Sequence, residues 1–254
     1  DFGTRDPFVG LMKGVILGVF PAARLIDLGH EGDAYDVAGA AFWLSRGHRY
    51  FPEGTVHLAV VDPGVGSPRR PIAAIAGGHL FVGPDNGLLV PALERPGLVT
   101  VVALDPTRTG KGETSATFHG RDLFAPAAAR LAAGVPIGLL GDPVNPASLV
   151  PSPLRKARRE GDELAGEVVV VDRFGNLITN VEADPQAAAS GAVARWAGGD
   201  LPLVRTYADA APGAPLALVN SFGVVELAVR DGHAASALGL GRGAPVRLSG
   251  VGGG

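Results

Sequence analysis

With 254 residues, of which 46% are hydrophobic and 19% charged, the chain can bury a substantial core and is not a disordered sequence. A formal net charge of -3 speaks against a nucleic-acid footprint or a polybasic membrane patch, and the absence of cysteine excludes disulfides, thiolate metal sites and cysteine nucleophiles. No apolar run approaches the roughly 20 residues of a membrane span and no signal peptide is visible, so a cytoplasmic location is expected.

The chain opens at Asp1-Phe2-Gly3 without an initiator methionine; a few further residues, forming a strand that delivers Asp1 at its tip, are expected before it. Residues 9–19 carry apolar groups at helical spacing, with Asp6-Pro7 as the helix start. Residues 24–28 read as a short strand. Residues 36–46 read as a helix with Ala38, Ala41, Phe42 and Leu44 on its buried face. After a turn at Pro52-Glu53-Gly54, residues 55–61 are nearly all apolar, the pattern of a strand buried on both faces. Residues 72–76 and 80–82 form a hairpin around Gly77-Gly78. Residues 86–93 read as helix, 99–104 as strand and 121–133 as a helix of small residues. This alternation predicts an α/β layer fold. Pro143, Pro146, Pro151 and Pro153, followed by the charged run 155–163, mark a linker. Beyond it the pattern is strand and turn only: residues 166–171, 176–180, 201–207, 216–219, 224–229 and 245–248, which predicts a small all-β barrel. The expected organisation is an N-terminal α/β domain over residues 1–150, a linker over 151–163 and a C-terminal β-barrel domain over 164–254. Gly252-Gly253-Gly254 reads as a tail.

Chemistry gathers around residues 60–70. An apolar run ends in Asp62, a Pro-Gly turn follows, and then Arg69-Arg70. A buried strand that delivers an acid at its C-terminal tip is the usual way an α/β protein places a reactive group. Arg69 is placed to fold back on Asp62 and hold it charged; a plain turn with a solvated basic pair fits the same residues. His119 stands just before a helix, whose N-terminus favours the neutral, proton-accepting imidazole; a packing or capping role is the alternative. Asp27-Leu28-Gly29-His30-Glu31-Gly32-Asp33 matches neither the zinc helix spacing nor the calcium loop, so no metal is expected, and a helix cap at Asp33 or Asp36 accounts for its polarity. Gly83-Pro84-Asp85-Asn86-Gly87 reads as a capped turn in preference to an anion site. In the second half, Asp172, Phe174 and Asn176 end a strand. There an acid pairs an ammonium, an aromatic stacks and an amide reads a base edge, unless this is a β-turn with an incidental aromatic. Tyr207 and Asn220-Ser221 take similar strand-end positions. Phosphate-binding, dinucleotide and nucleophile-elbow motifs are missing. The residues together suit a nucleoside-like, non-phosphorylated ligand that carries a cation.

Asp1-Phe2-Gly3, Phe51-Pro52-Glu53-Gly54-Thr55-Val56, Asp62-Pro63-Gly64-Val65-Gly66-Ser67, Gly83-Pro84-Asp85-Asn86-Gly87, Thr117-Phe118-His119-Gly120-Arg121-Asp122, Phe174-Gly175-Asn176, Thr179-Asn180 and Asn220-Ser221 occur in that order. The series resembles the S-adenosyl-L-methionine (SAM) hydroxide adenosyltransferases, the SAM hydrolases related to the fluorinase and chlorinase. The resemblance implies an N-terminal domain with a central mixed sheet and a C-terminal barrel, a homotrimer with SAM at subunit interfaces, and hydrolysis of SAM to adenosine and L-methionine, with SAM as substrate and no cofactor. It implies that Asp1 holds the ribose hydroxyls and that Tyr35 lies beside the sugar. Phe174 and Tyr207 would flank the adenine, Asn176 would read its edge, and Asp172 and Ser221 would hold the methionine end. Asp62, Arg69 and His119 would form the water-handling triad, with His119 the better base at neutral pH or Arg69 lowering the pKa of the water itself. Phe222 stands where the fluorinase has an arginine, Asp62 where it has a tyrosine and Gly120 where it has a serine, and an insertion before the strand near Phe81 is absent. Halogenation is therefore not expected; a SAM or adenosine sensor without turnover is the remaining alternative.

Overall fold

The computed structural model describes residues 1–94, 97, 99–110 and 113–250, so the glycine tail lies outside the described residues. The chain divides into two compact units, Asp1–Leu154 and Arg155–Gly254.

In the first unit, helix α1 (Phe8–Val19) begins directly after Pro7. Helix α2 (Val37–Gly47) is capped by Asp36, whose side chain accepts the Gly39 N–H at 2.9 Å. Strands β1 (Val56–Leu58), β2 (Pro71–Ala76) and β3 (His79–Pro84) come next, then the short α3 (Val90–Leu93), β4 (Thr100–Leu104), α4 (Pro106–Thr109), α5 (Ala125–Ala132) and β5 (Gly141–Pro143). The sheet order is β1-β3-β2-β4-β5. β1 runs parallel to β3 and the other pairs are antiparallel, so the sheet is mixed. Its two faces are legible in the alternation of β2. Ile72, Ala74 and Ala76 pack with Phe81 and Val101 under α2 and α3, while Ala73 packs with Val82, Val102 and Phe124 under α5. Helix α1 lies on α5 through Met12, Ile16, Ala125 and Ala129.

The second unit holds β6 (Arg158–Glu160), β7 (Glu163–Val171), β8 (Leu177–Glu182), β9 (Val193–Trp196), β10 (Gly199–Pro202), β11 (Pro215–Val219), β12 (Val224–Val229), α6 (Ala234–Leu238) and β13 (Pro245–Ser249). The strands follow the path β10-β9-β13-β7-β8-β12-β11, with β6 on β7, and every pair is antiparallel. A single parallel bridge between Leu203 and Ala217 joins the two ends of the path, so the sheet is a nearly closed barrel around one core that includes Leu177, Val225, Leu227 and Leu248.

Several expectations are corrected. Residues 24–28 form no strand; Ile26 is 71% exposed and Leu28 leaves the segment to pack on Gly47 of α2. β-Forming side chains without a neighbouring strand do not make a ladder. The strand expected over 55–61 is only β1, with half-buried residues at either side of buried His57. The helix expected over 86–93 is confined to α3, and the one over 121–133 opens as a wide π-type turn, Gly120–Phe124. The Pro-rich and charged stretch is built into sheets at β5 and β6. The barrel half also contains a helix, α6, closed by Gly239 at φ +65°.

Three histidines are buried against Phe81. His57 stacks on its ring at 5.2 Å and shares a 3.2 Å hydrogen bond with His79, and His48 meets the same ring edge-on at 5.4 Å. Burial first, then the neighbouring His79 and His48, push the His57 pKa from 6.5 down to about 4. The folded state therefore binds fewer protons than the unfolded chain between these values. Stability is complete above about pH 6.5 and is lost as the pH falls towards 4, by about 3 kcal/mol from this group. Urea unfolding at pH 7.5 and pH 4.5 should show that loss, and His57→Phe should flatten the dependence.

Candidate active site

Asp62 sits where the apolar run through β1 ends. Val61 before it is buried, and its carbonyl accepts the Asn86 side-chain N–H at 2.9 Å, which fixes the backbone just ahead of the acid. A tight turn follows: the Val65 N–H donates to the Asp62 carbonyl at 3.1 Å and the Ser67 N–H to the Gly64 carbonyl at 3.0 Å. Gly66 has φ +79°, and a Cβ there would lie 2.7 Å from the Ala116 carbonyl oxygen. Only glycine satisfies both conditions, and the close approach brings the loop that carries His119 against the turn that carries Asp62.

The anticipated Asp62–Arg69 pair is present. Arg69 Nε donates to Asp62 Oδ1 at 2.8 Å, and Arg69 Nη2 donates to Asp62 Oδ2 in a short second contact. The two side chains are only 9% and 6% exposed, so this is a desolvated, bidentate ion pair. The same Nη2 lies 2.8 Å from His119 Nδ1. A guanidinium only donates, so Nδ1 is the acceptor, and the proton of the neutral ring sits on Nε2. The His119 pKa lies below its ordinary value because of burial and then the Arg69 charge, with Asp62 and Asp122 opposing. That cause replaces the helix N-terminus expected from sequence. Arg69 Nη1 is buried with no hydrogen-bond partner among the described residues, and the guanidinium carbon stands 5.3 Å from the Phe124 ring centre. Arg70 turns away. It pairs with buried Asp85, which also accepts the Val150 N–H at 2.9 Å. The Gly83–Gly87 segment is thus scaffolding behind the site.

Asp62 and His119 open on a cleft of about 260 Å³ that Asp1, Tyr35 and Phe118 also line. Phe2, Phe8 and Phe118 form an aromatic wall with ring centres 5.4 to 5.8 Å apart. The Asp1 carboxylate accepts the Tyr35 N–H at 2.9 Å, and Tyr35 holds φ +66°, a left-handed conformation that costs a tyrosine energy. The Asp27 loop beside it is an ion-pair cluster, with Lys13 Nζ at 2.7 Å and His30 Nε2 at 2.9 Å from the carboxylate. Among the described residues no group of His, Asp or Glu is arranged to hold a metal ion.

The second unit gathers the other expected residues. Asp172 Oδ1 accepts the N–H groups of Phe174 and Asn176, both at 2.9 Å, and Asn176 Nδ2 reaches Asp172 Oδ2 at 3.2 Å. Phe174 is 73% exposed. Ser221 lies in the turn closed by the Gly223 N–H on the Asn220 carbonyl. Thr179 and Asn180 are structural: Thr179 donates to the Val225 carbonyl and Asn180 braces Glu167 and Arg155. Sequence reasoning missed Glu226, which is 3% exposed and accepts the Tyr207 hydroxyl at 2.6 Å and Asn220 Nδ2 at 3.0 Å. Its signal was an acid in the middle of an apolar strand.

Residues 1–141 match the family model of the SAM hydroxide adenosyltransferase N-terminal domain, and residues 166–247 that of its C-terminal domain. The chain belongs to the SAM hydroxide adenosyltransferase family. It is 43% identical to an (R)-S-adenosyl-L-methionine hydrolase of Thermus thermophilus, over 98% of this chain and 96% of that one. It is equally close to the Salinispora tropica protein of the same name, over 98% and 95%. An Actinoplanes fluorinase is 30% identical over 90% of this chain and 88% of its own. Among solved structures, an uncharacterized conserved protein from Thermotoga maritima superposes with a TM-score of 0.90 at 33% identity, covering 98% of this chain and 97% of that one.

The Gly66 contact gives a direct check on how the site is assembled. Gly66→Ala should lower stability by about 2–3 kcal/mol in urea unfolding, from positive φ together with the carbonyl clash.

Proposed function

We propose that the protein hydrolyses SAM to adenosine and L-methionine. The observation that carries this is the Arg69-pinned Asp62 carboxylate beside a neutral His119 in an aromatic-walled cleft that also contains Asp1. The family and the hydrolases at 43% identity support the same reaction.

The geometry suits an in-line displacement at C5′. A water that accepts from His119 Nε2–H and donates to Asp62 is held by one donor and one acceptor. His119 has spent its lone pair on Arg69, so it orients the water, and Asp62 takes the proton as the O–C5′ bond forms and the C5′–S bond breaks. Methionine leaves as a neutral thioether, and the proton passes to solvent. A sulfonium needs no general acid and no metal to leave, so the reaction requires no cofactor. Most of the acceleration then comes from alignment in a dry cleft. A carboxylate is adequate here because the leaving group is so good.

In the same reading Asp1 accepts the ribose hydroxyls and Tyr35 covers the sugar. Phe174 and Tyr207 sandwich the adenine, Asn176 reads its edge, and Asp172 with Ser221 holds the methionine end. The assembly is a homotrimer with sites at subunit interfaces. Phe8, Leu11, Leu17, Ile26, Tyr35 and Tyr50 of the first unit support this, being large apolar side chains that all stand 40% exposed or more. No helix among the described residues is long and apolar enough to cross a membrane, and the proposed location is the cytoplasm. Halide attack is disfavoured because the Asp62 carboxylate would repel the incoming anion.

Incubation with SAM in ¹⁸O water should yield adenosine and methionine in equal amounts, with the label in the adenosine 5′-hydroxyl. Asp62→Asn should lower kcat by 10²–10⁴-fold with a much smaller change in KM. Binding of SAM without product would establish a sensor instead, and 5′-chloroadenosine formed with added chloride a halogenase. The rate should be full above the lowered His119 pKa and fall below it, because a proton on Nδ1 would face the Arg69 guanidinium.

A further inference from the structure

Strand β12 is buried along its whole length, and Glu226 is its one ionisable residue. A carboxylate in such a place needs a strong structural return, because burying an uncompensated charge is costly. No lysine or arginine among the described residues pairs with it. Its two oxygens are instead divided between two neutral donors, the Tyr207 hydroxyl on Oε1 and the Asn220 amide on Oε2. Each donor belongs to a ligand-facing element of the second unit. Tyr207 opens a short 3-10 turn, Tyr207–Asp209, and its side chain remains 44% exposed although its hydroxyl is tied inward. Asn220 opens the turn that carries Ser221, and its own Oδ1 accepts the Phe222 N–H at 3.0 Å. Burial above all raises the pKa of both Tyr207 and Glu226, and the nearby Asp172 charge adds to it, so all four groups share one neighbourhood.

We propose that Glu226 is a positioning residue for purine binding, which holds the Tyr207 ring at the angle at which it stacks on adenine and, through Asn220, sets the Ser221 turn at the methionine end. The inference rests on the assignment of Tyr207 and Ser221 as ligand contacts. The 3-10 turn supplies no ladder hydrogen bonds to fix the ring, and a tyrosine on such a turn has two free torsions. A 2.6 Å hydrogen bond from its hydroxyl to a buried carboxylate removes that freedom before the ligand arrives, so less ordering is left for binding. The orienting group touches no substrate atom, so its effect should appear in affinity.

The experiment compares wild type with Glu226→Ala, Glu226→Gln, Tyr207→Phe and the Ala/Phe double variant, reading SAM turnover, adenosine affinity by calorimetry, and Tm. Glu226→Ala should raise KM for SAM and weaken adenosine binding about tenfold, with a smaller change in kcat. Glu226→Gln should restore most of the adenosine affinity, because its amide oxygen still accepts the tyrosine hydroxyl, but not the Asn220 link, because its NH2 group would face the Asn220 NH2. For adenosine, Tyr207→Phe should reproduce the Glu226→Ala loss, and the double variant should be no worse than Glu226→Ala alone. Multiplicative losses, or a Tm drop in Glu226→Ala with unchanged KM, would overturn the proposal. If Glu226→Ala does not fold, Tyr207→Phe decides alone, since it removes one partly exposed oxygen; unchanged adenosine affinity in that variant refutes the positioning role. A wild-type protein that neither consumes SAM nor binds adenosine removes the underlying functional reading, whereas normal wild-type behaviour with an inert Tyr207→Phe removes only this inference.

Discussion

One buried guanidinium organises the reactive end of the first unit. Arg69 spends two nitrogens on Asp62 and shares one of them with His119, with the Phe124 ring beneath. Removing either partner would leave a charge or a strong donor stranded in a desolvated place, so the three side chains stand or fall together. The surrounding backbone serves that contact. Asn86 pins the carbonyl before Asp62, Gly66 lets two loops meet at carbonyl distance, and Asp122 holds the loop before His119 through the Ser115 N–H. The chemistry of the imidazole follows from the same contact. With Nδ1 occupied by a cation's donor, the other ring nitrogen carries the hydrogen.

Much of the architecture was written in local pattern. The alternation in Pro71–Ala76, the paired glycines 77–78 and the apolar run Val224–Val229 each specify an element without help from distant residues. The failures have a common physical origin. Residues 24–28 have strand-like side chains but no neighbour to pair with, and Val193–Trp196 became a strand because β13 and β10 lie on either side of it. The Asp62–Arg69 pair could be anticipated from a seven-residue spacing and a turn. The acceptor role of His119 depends on a contact across 50 positions, and no local pattern carries that. Glu226 was passed over because an acid inside an apolar strand gives no hint of which hydroxyl and amide will fold onto it.

The two units solve the problem of exposing reactive groups in different ways. In the first, a tight turn carries Asp62, and the N–H of a strained tyrosine at φ +66° holds Asp1, beside a cleft with an aromatic wall. In the second, the barrel interior is closely packed, and Gly166 leaves room for Asn180 to brace the wall. Its candidate site residues Asp172, Phe174, Asn176 and Ser221 hang on turns tied by side chains. Asp172 organises its own turn by accepting two backbone N–H groups on one oxygen, while its second oxygen accepts the Asn176 side-chain N–H.

The barrel closes through one bridge, Leu203 to Ala217, and the chain leaves that bridge directly towards Tyr207. The seam of the barrel and the carrier of an exposed aromatic are therefore a single stretch of backbone. Elsewhere on the wall, shifting a side chain by an ångström would mean breaking a row of ladder hydrogen bonds. Here the chain is held by separate contacts instead: the Leu203 N–H on the Ala192 carbonyl, the Val204 N–H on the Ala217 carbonyl, and the Arg205 and Thr206 N–H groups on the Asp209 carboxylate. One stretch of backbone thus both closes the barrel and sets Tyr207 at its surface, with the tyrosine hydroxyl anchored on buried Glu226.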